Sequence, residues 1–495
     1  MRRVLPYFLS AAMLAACGSQ VVNPVTGQAE RSVMSEQDEI AQGQKAHQQV
    51  LQEYGVYADP RLQAYVNGVG QRLAKQSHRA NLTWTFTVLD SPEINAFALP
   101  GGYVYITRGI MAYLDSEAEL AGVIGHEIGH VTARHGAQRA TRQQSAGLGV
   151  LAATVLGAVL EAGGVGGATD LASQVSQTAA AGYVASYSRE QESQADQLGA
   201  EYLARNQYNP QNMVDVIEVL KNQERFAADA AKAEGKAAPS GASWVSSHPS
   251  NDKRLADIRQ TATKYQGNYG DDGRARYLQV IDGMTFGESR EQGVTRGRNF
   301  YHEPLGIALT APAGWQVKNS QEAILLVNGA ADAGLIVRLV PPKAGNTHEE
   351  VIRNVVKPVD GRSERRTLNG LTATHFTGSV RNEQGQNQAV SVTVATGPGG
   401  RNFLMQYAAK DAAALQRASA QMSEAEASFR ALTPAERSAA QPWGVKTVAY
   451  PRGGFAELAR SSPLPVRAEA QLRLMNSAYG GAAEPKPGQL VKVVG

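Results

Sequence analysis

The sequence predicts a multidomain α+β protein: a mainly helical first domain with a small β-sheet, then an α+β domain, then a small strand-helix-helix-strand module. Three observations carry that expectation. The 495 residues, 43% of them hydrophobic, exceed what one hydrophobic core ordinarily organises. Apolar residues recur at helical spacing through much of the first half, and after Tyr265 the texture changes to short alternating strands. Charge is nearly balanced, with Lys+Arg 48 against Asp+Glu 45, which excludes the broad basic field of a nucleic-acid binder.

The first residues read as a targeting segment. Met1-Arg2-Arg3 is basic, Val4 to Met13 is apolar but too short to span a bilayer, and Leu14-Ala15-Ala16-Cys17 follows. Cys17 is the only cysteine, so an intrachain disulfide and a thiolate zinc site are excluded. Leu-Ala-Ala-Cys resembles the bacterial lipobox, which implies residues 1–16 as a lipoprotein signal peptide and Cys17 as the lipidated residue, anchored by several acyl chains. An ordinary secretory signal with a leftover thiol is the bland alternative. By the same resemblance, the lack of Asp after Cys17 favours the outer membrane over the inner one.

Residues 17–34 are expected to be an extended tether, with turn chemistry at Asn23-Pro24-Val25-Thr26-Gly27. The first folded domain, 35–268, opens with helices over Ser35–Tyr54 and Asp59–Gln76. Trp84–Leu89 and Tyr103–Thr107 alternate like strands, joined by the less regular 95–102, and a strong helix runs from Ser116 to His135. Ser145–Leu160 carries no charge; a buried helix and a lipid-touching surface are both open to it. Helices are expected again over Tyr187–Arg205 and from Pro210 through Phe226, and Ala227–Ala242 reads as a flexible loop.

In the α+β domain, 275–435, strands are expected at Gly306–Thr310, Ile324–Val327, Leu335–Leu339, Ala389–Ala395 and Phe403–Ala408, with helices at Thr347–Val356 and Asp411–Leu432. No cluster of titratable residues stands out there, so it reads as an accessory module. Residues 443–495 resemble a LysM glycan-binding module, with Gly453-Gly454-Phe455 in place of the usual Gly-Asp-Thr. That resemblance implies peptidoglycan as a partner; a degenerate structural domain is the alternative.

The chemistry concentrates in Gly125-His126-Glu127-Ile128-Gly129-His130, an H-E-x-x-H within an amphipathic helix. Four residues advance a helix by about one turn, so His126 and His130 share a face and can share a metal, with Glu127 beside it as general base. A catalytic zinc needs a third protein ligand. In the helix from Ser188, Glu192 and Asp196 lie one turn apart, which makes Glu192 the ligand and Asp196 the acceptor for the second ring N–H of a ligating histidine. Glu190 competes, but it projects from nearly the opposite face. His135 faces away from the two histidines on an ideal helix and is assigned to structure.

Asn95 to Gly102, His126-Glu127-Ile128-Gly129-His130, Glu192 with Asp196, and His248-Pro249 with Arg254 together resemble the gluzincin zinc metalloendopeptidases of the CAAX prenyl protease and beta-barrel assembly-enhancing protease type, over about Ser35 to Tyr265. One departure is Gln194, where that family often has a second acid. The resemblance implies a zincin-like protease domain with one Zn2+ per chain, held by His126, His130 and Glu192. It also implies that His248 approaches the zinc, either blocking the open site or serving the transition state, and that Arg254 binds a carboxylate or the oxyanion. Tyr103, Val104 and Tyr105 are expected on an edge strand above the zinc helix, with Asn95 and Ala96 nearby, where an extended substrate would add as a further strand.

The function expected is a lipid-anchored zinc endopeptidase of the bacterial periplasm that cleaves misfolded or stalled envelope proteins. A chaperone or scaffold for outer-membrane assembly and a peptidoglycan-tethered adaptor are the rivals. The complete set of His126, Glu127, His130 and Glu192 argues against either as the sole function.

Overall fold

The computed structural model describes residues 19–32, 34–139, 187–233, 235, 248, 252–320, 323–382 and 385–495. The signal segment with Cys17, the Ser145–Leu160 stretch and Pro249 lie outside the described residues. Helices and several sheets distributed over separate hydrophobic cores give the multidomain α+β organisation that the sequence predicts.

Within the expected tether, residues 19–32 are not extended but folded. Residues Ser19–Val22 (β1) and Ala29–Ser32 (β2) pair antiparallel as a hairpin. Its turn is set by Asn23, whose side-chain Oδ1 accepts from the amides of Val25 and Thr26 while its carbonyl accepts from Gly27. Helix α1 (Glu36–Tyr54) starts at a Ser35–Asp38 capping box, and α2 (Pro60–Lys75) at Asp59 with proline in its first turn.

Strands β3 (Thr85–Leu89), β4 (Ala96–Leu99) and β5 (Tyr103–Thr107) form a sheet in the order β3-β5-β4, β3 parallel and β4 antiparallel to β5. Tyr103, Val104 and Tyr105 therefore stand on the central strand, not on an edge. The edge strand is β4, within the segment that the sequence leaves irregular because Ala96-Phe97-Ala98-Leu99 is buried on both faces and shows no alternation.

After a short turn, α3 (Arg108–Met111), the chain enters α4 (Glu117–Thr132), capped by Ser116 and buried along its whole length. Helix α5 (Arg189–Arg205) starts at a Ser188–Gln191 capping box and packs directly on α4. A Cβ at Gly129 would lie 3.0 Å from the Ala195 carbonyl oxygen, and one at Gly125 3.3 Å from the Gly199 Cα, so glycine at both positions permits a backbone-to-backbone approach. That approach sets Glu192 and Asp196 against the face of α4 that carries the two histidines. Helix α6 (Asn212–Ala233) runs through the first part of the loop expected at Ala227–Ala242, whose alanine-rich start continues the helix. Helix α7 (Asp252–Ala262) closes this side with Arg254 buried in its first turn.

One core joins α2, the sheet, α4, α5 and α6 and continues into Tyr277, Leu278, Ile281, Val445, Phe455 and Leu472. Residues 274–286 and the C-terminal segment thus share the first domain's core, whereas the sequence assigns them to separate units. That segment does follow the expected order: strand Trp443–Ala449, helices Gly454–Arg460 and Ala468–Met475, and strand Leu490–Val494. A second core around Phe300, Leu335, Phe403 and Phe429 lies under an antiparallel seven-stranded sheet. Its strands include four of the five expected ones and three that the sequence reading missed, Gln316–Asn319, Asp360–Leu368 and Leu371–Arg381, while the fifth expected strand, Ile307–Thr310, joins a separate four-stranded sheet.

Candidate metal centre

His126 and His130 leave α4 on one face and are almost fully buried. Their Nε2 atoms lie 3.0 Å apart. Across the helix contact, Glu192 Oε1 is 3.5 Å from His130 Nε2, and Glu192 Oε2 is 3.6 Å from His126 Nε2. His248 supplies a fourth donor: its Nδ1 is 3.1 Å from His126 Nε2 and 3.0 Å from Glu192 Oε1. These separations bracket the edge of about 3.3 Å expected between donors of a tetrahedral zinc with bonds of about 2.0–2.1 Å. Two His nitrogens, a carboxylate oxygen and a further His nitrogen converging on one point form a donor set that fits zinc. Glu190, the competing carboxylate, is exposed.

The electrostatics of the pocket favour a cation. Burial and the nearby histidines hold His130 well below the usual imidazole value, the neutral state in which a ring nitrogen can ligate. Burial would lower His248 as well, but the Glu192 and Glu127 carboxylates outweigh it and shift that ring upward. Burial opposes charge on Glu192, yet His248 and Arg254 keep its carboxyl below the ordinary range. Asp196 is likewise buried, and Arg254 with His126 brings it down to about 2.

Asp196 sits where the sequence places it. Its Oδ1 accepts from His126 Nδ1 at 2.9 Å, leaving the Nε2 lone pair for a metal. Arg254 is buried against the acids that flank the histidines. Its Nε and Nη2 donate to the two oxygens of Asp196 at 2.6 and 2.7 Å, and Nη1 reaches Glu192 Oε2 at 3.0 Å and the His248 carbonyl at 3.1 Å. The carboxylates that Arg254 contacts are thus those of Asp196 and Glu192, next to the histidines. Glu127 is fully buried next to them, with Oε1 3.6 Å from His248 Nε2.

Near the ligands, the sequence reading turned His135 away from the two histidines and gave Tyr187 no role. Helix α4 ends at Thr132 and Arg134 turns left-handed with φ 53°, so His135 does not continue the helical wheel. Its ring swings back to place Nδ1 2.8 Å from His130 Nδ1. Tyr187 stacks on His130 with ring centroids 3.8 Å apart, and burial pushes its phenol up. An aromatic residue directly before the Ser188 cap was the available signal for Tyr187. A cavity of about 190 Å³ opens beside His130 and Tyr187, walled by Leu99, Pro100, Val131 and Ala137. Asn95 and Ala96 lie at the other end of β4, where the Asn95 carbonyl accepts from the Thr107 amide and hydroxyl, whereas Ala98 and Leu99 line the cavity.

Residues 60–262 match the model of peptidase family M48. That segment is an M48 zinc metalloprotease domain. The chain is 27% identical over 296 residues to a beta-barrel assembly-enhancing protease of Yersinia pestis, covering 55% of this chain and 58% of that one. It is 29% identical over 245 residues to the Escherichia coli protein of the same name, covering 49% and 47%. The mitochondrial metalloendopeptidase OMA1 of Schizosaccharomyces pombe is 30% identical over 224 residues, covering 44% and 59%. The chain thus spans about half the length of these relatives. The M48 match begins at Pro60 and ends at Ala262, so it takes in α4, α5 and α7, the three helices that carry His126, His130, Glu192, Asp196 and Arg254.

Proposed function

We propose that this protein is a zinc-dependent endopeptidase of the bacterial envelope, acting on misfolded or stalled envelope proteins. The observation that carries the reading is the convergence of His126, His130 and Glu192 around one point, with Glu127 alongside and a strand edge and cavity next to it. When bound, zinc supplies a Lewis acid for the scissile carbonyl and the attacking water. Glu127 accepts the proton of that water and delivers it to the leaving amine. Among the described residues β4 pairs on one side only, so an extended substrate adds along Ala96–Leu99 and presents a side chain to the cavity beside His130. Backbone pairing of this kind suits unfolded clients, because it reads little of their sequence.

His248 Nδ1 occupies the fourth corner of the donor set, which supports the resting, blocked role over the oxyanion role. Substrate then requires His248 to leave. The lipid anchor at Cys17, an outer-membrane position and a LysM-like C-terminal module belong to the same proposal. No helix among the described residues is long and apolar enough to cross a membrane. Full-length protein should degrade casein, lose that activity to a chelator and regain it with zinc. His248→Ala should raise cleavage with zinc retained. A fall of about 10²-fold would assign the oxyanion role instead, and a wild-type protein that binds zinc yet never cleaves would refute the proposal.

A further inference from the structure

The M48 domain holds its two ligating histidines by different means, and the second reaches outside the domain. His130 Nδ1 faces His135 Nδ1 at 2.8 Å, His135 Nε2 faces Gln194 Oε1 at 3.1 Å, and Gln194 Oε1 also accepts from Asn23 Nδ2 at 3.0 Å. Asn23, His135 and Gln194 are all buried. Asn23 belongs to the β1–β2 hairpin, which starts at Ser19, directly after Cys17 and Gly18.

The direction of every hydrogen bond in this chain is dictated from its outer end. The backbone amides of Val25 and Thr26 can only donate, so the Asn23 side-chain atom they meet is oxygen, and the atom turned toward Gln194 is the amide nitrogen. Gln194 must therefore present its oxygen. His135 then donates from Nε2 and keeps a lone pair on Nδ1, which in turn requires the proton of His130 on Nδ1. The Nε2 of His130 is left with the lone pair that a metal needs. We infer that Asn23, Gln194 and His135 are positioning residues that select the metal-binding tautomer of His130, which makes the N-terminal hairpin a working part of the zinc site. A second branch holds the hairpin in place: Asn23 Nδ2 also donates to Glu30 Oε1 at 2.9 Å, Glu30 takes a bond from Gln138, and Gln138 Oε1 accepts from Gln191 of α5 at 2.9 Å.

The test is zinc affinity of the full-length protein, measured by competition with a chelating indicator, with the absorption spectrum of the Co2+-substituted protein as a second readout. Asn23→Asp keeps the turn acceptor but replaces the donor by an acceptor. Gln194 then either faces a second acceptor or turns over and drives His135 and His130 into the wrong tautomers. Zinc binding should weaken about 10- to 100-fold and the Co2+ bands should shift. Gln194→Leu should do the same, Gln194→Glu should stay within a few-fold of wild type because it still accepts, and the exposed Gln28→Ala should change nothing. Wild-type affinity and spectrum in both Asn23→Asp and Gln194→Leu would overturn the inference, as would equal losses in Gln194→Glu and Gln194→Leu. Should Asn23→Asp fail to fold, as judged by circular dichroism, the two Gln194 variants decide. The inference rests on the zinc-protease reading, but its readout is metal binding, so a protein that binds zinc and cleaves nothing would sink that reading and leave this one standing.

Discussion

His126 and His130 lie one helical turn apart, yet what stands behind them differs in kind. Behind His126 is a charged clamp: Asp196 takes its Nδ1–H, and Arg254 grips both oxygens of Asp196 while touching Glu192 and the backbone of His248. Behind His130 is a neutral relay of imidazole and two amides that ends in a surface hairpin. The clamp is built from α5 and α7, deep in the first core, so any break in it leaves a charge buried without its partner. The relay carries no formal charge. Breaking it costs orientation rather than desolvation, and it connects the metal site to the segment that follows Cys17.

That contrast orders the expected effects. Arg254→Met should cost most, leaving Asp196 and Glu192 buried side by side; about 3–5 kcal/mol of metal-free stability should be lost, read by denaturant unfolding. Next, Asp196→Asn should keep the fold but weaken zinc about 10- to 100-fold, because the acceptor behind His126 loses its charge. Glu30→Ala, on the neutral side, should cost only a few-fold in zinc affinity by loosening the hairpin. If Glu30→Ala were to destabilise the metal-free protein as much as Arg254→Met, the distinction between the two sides would fail.

The H-E-x-x-H spacing, the choice of Glu192 over Glu190 and the place of Asp196 were all legible in the sequence, because each needs only the period of a helix that does form. His135 was misread for the complementary reason. The wheel was extended past Thr132, and neither glycine nor proline marks the left-handed turn at Arg134. The hairpin was half visible: Asn23 to Gly27 was recognised as a turn, but strands of four residues such as Ser19-Gln20-Val21-Val22 are too short to declare a period. The sheet edge was assigned to β5 because Tyr103–Thr107 has the stronger β composition, whereas strand order is a tertiary property that composition does not carry. Asp360–Leu368 was missed because it is an edge strand rich in exposed Arg and Glu, the charged edge that discourages further pairing and hides the apolar signal.

The central claim is that His126, His130 and Glu192 hold a zinc that Glu127 turns to hydrolysis, and Glu127→Gln separates the two roles. Wild-type and Glu127→Gln proteins, purified side by side, should carry the same zinc content, about one per chain, by elemental analysis. Only the wild type should cleave casein. Zinc lost together with activity would make Glu127 a ligand, and wild-type turnover by Glu127→Gln would contradict the assignment of the general base and the mechanism built on it.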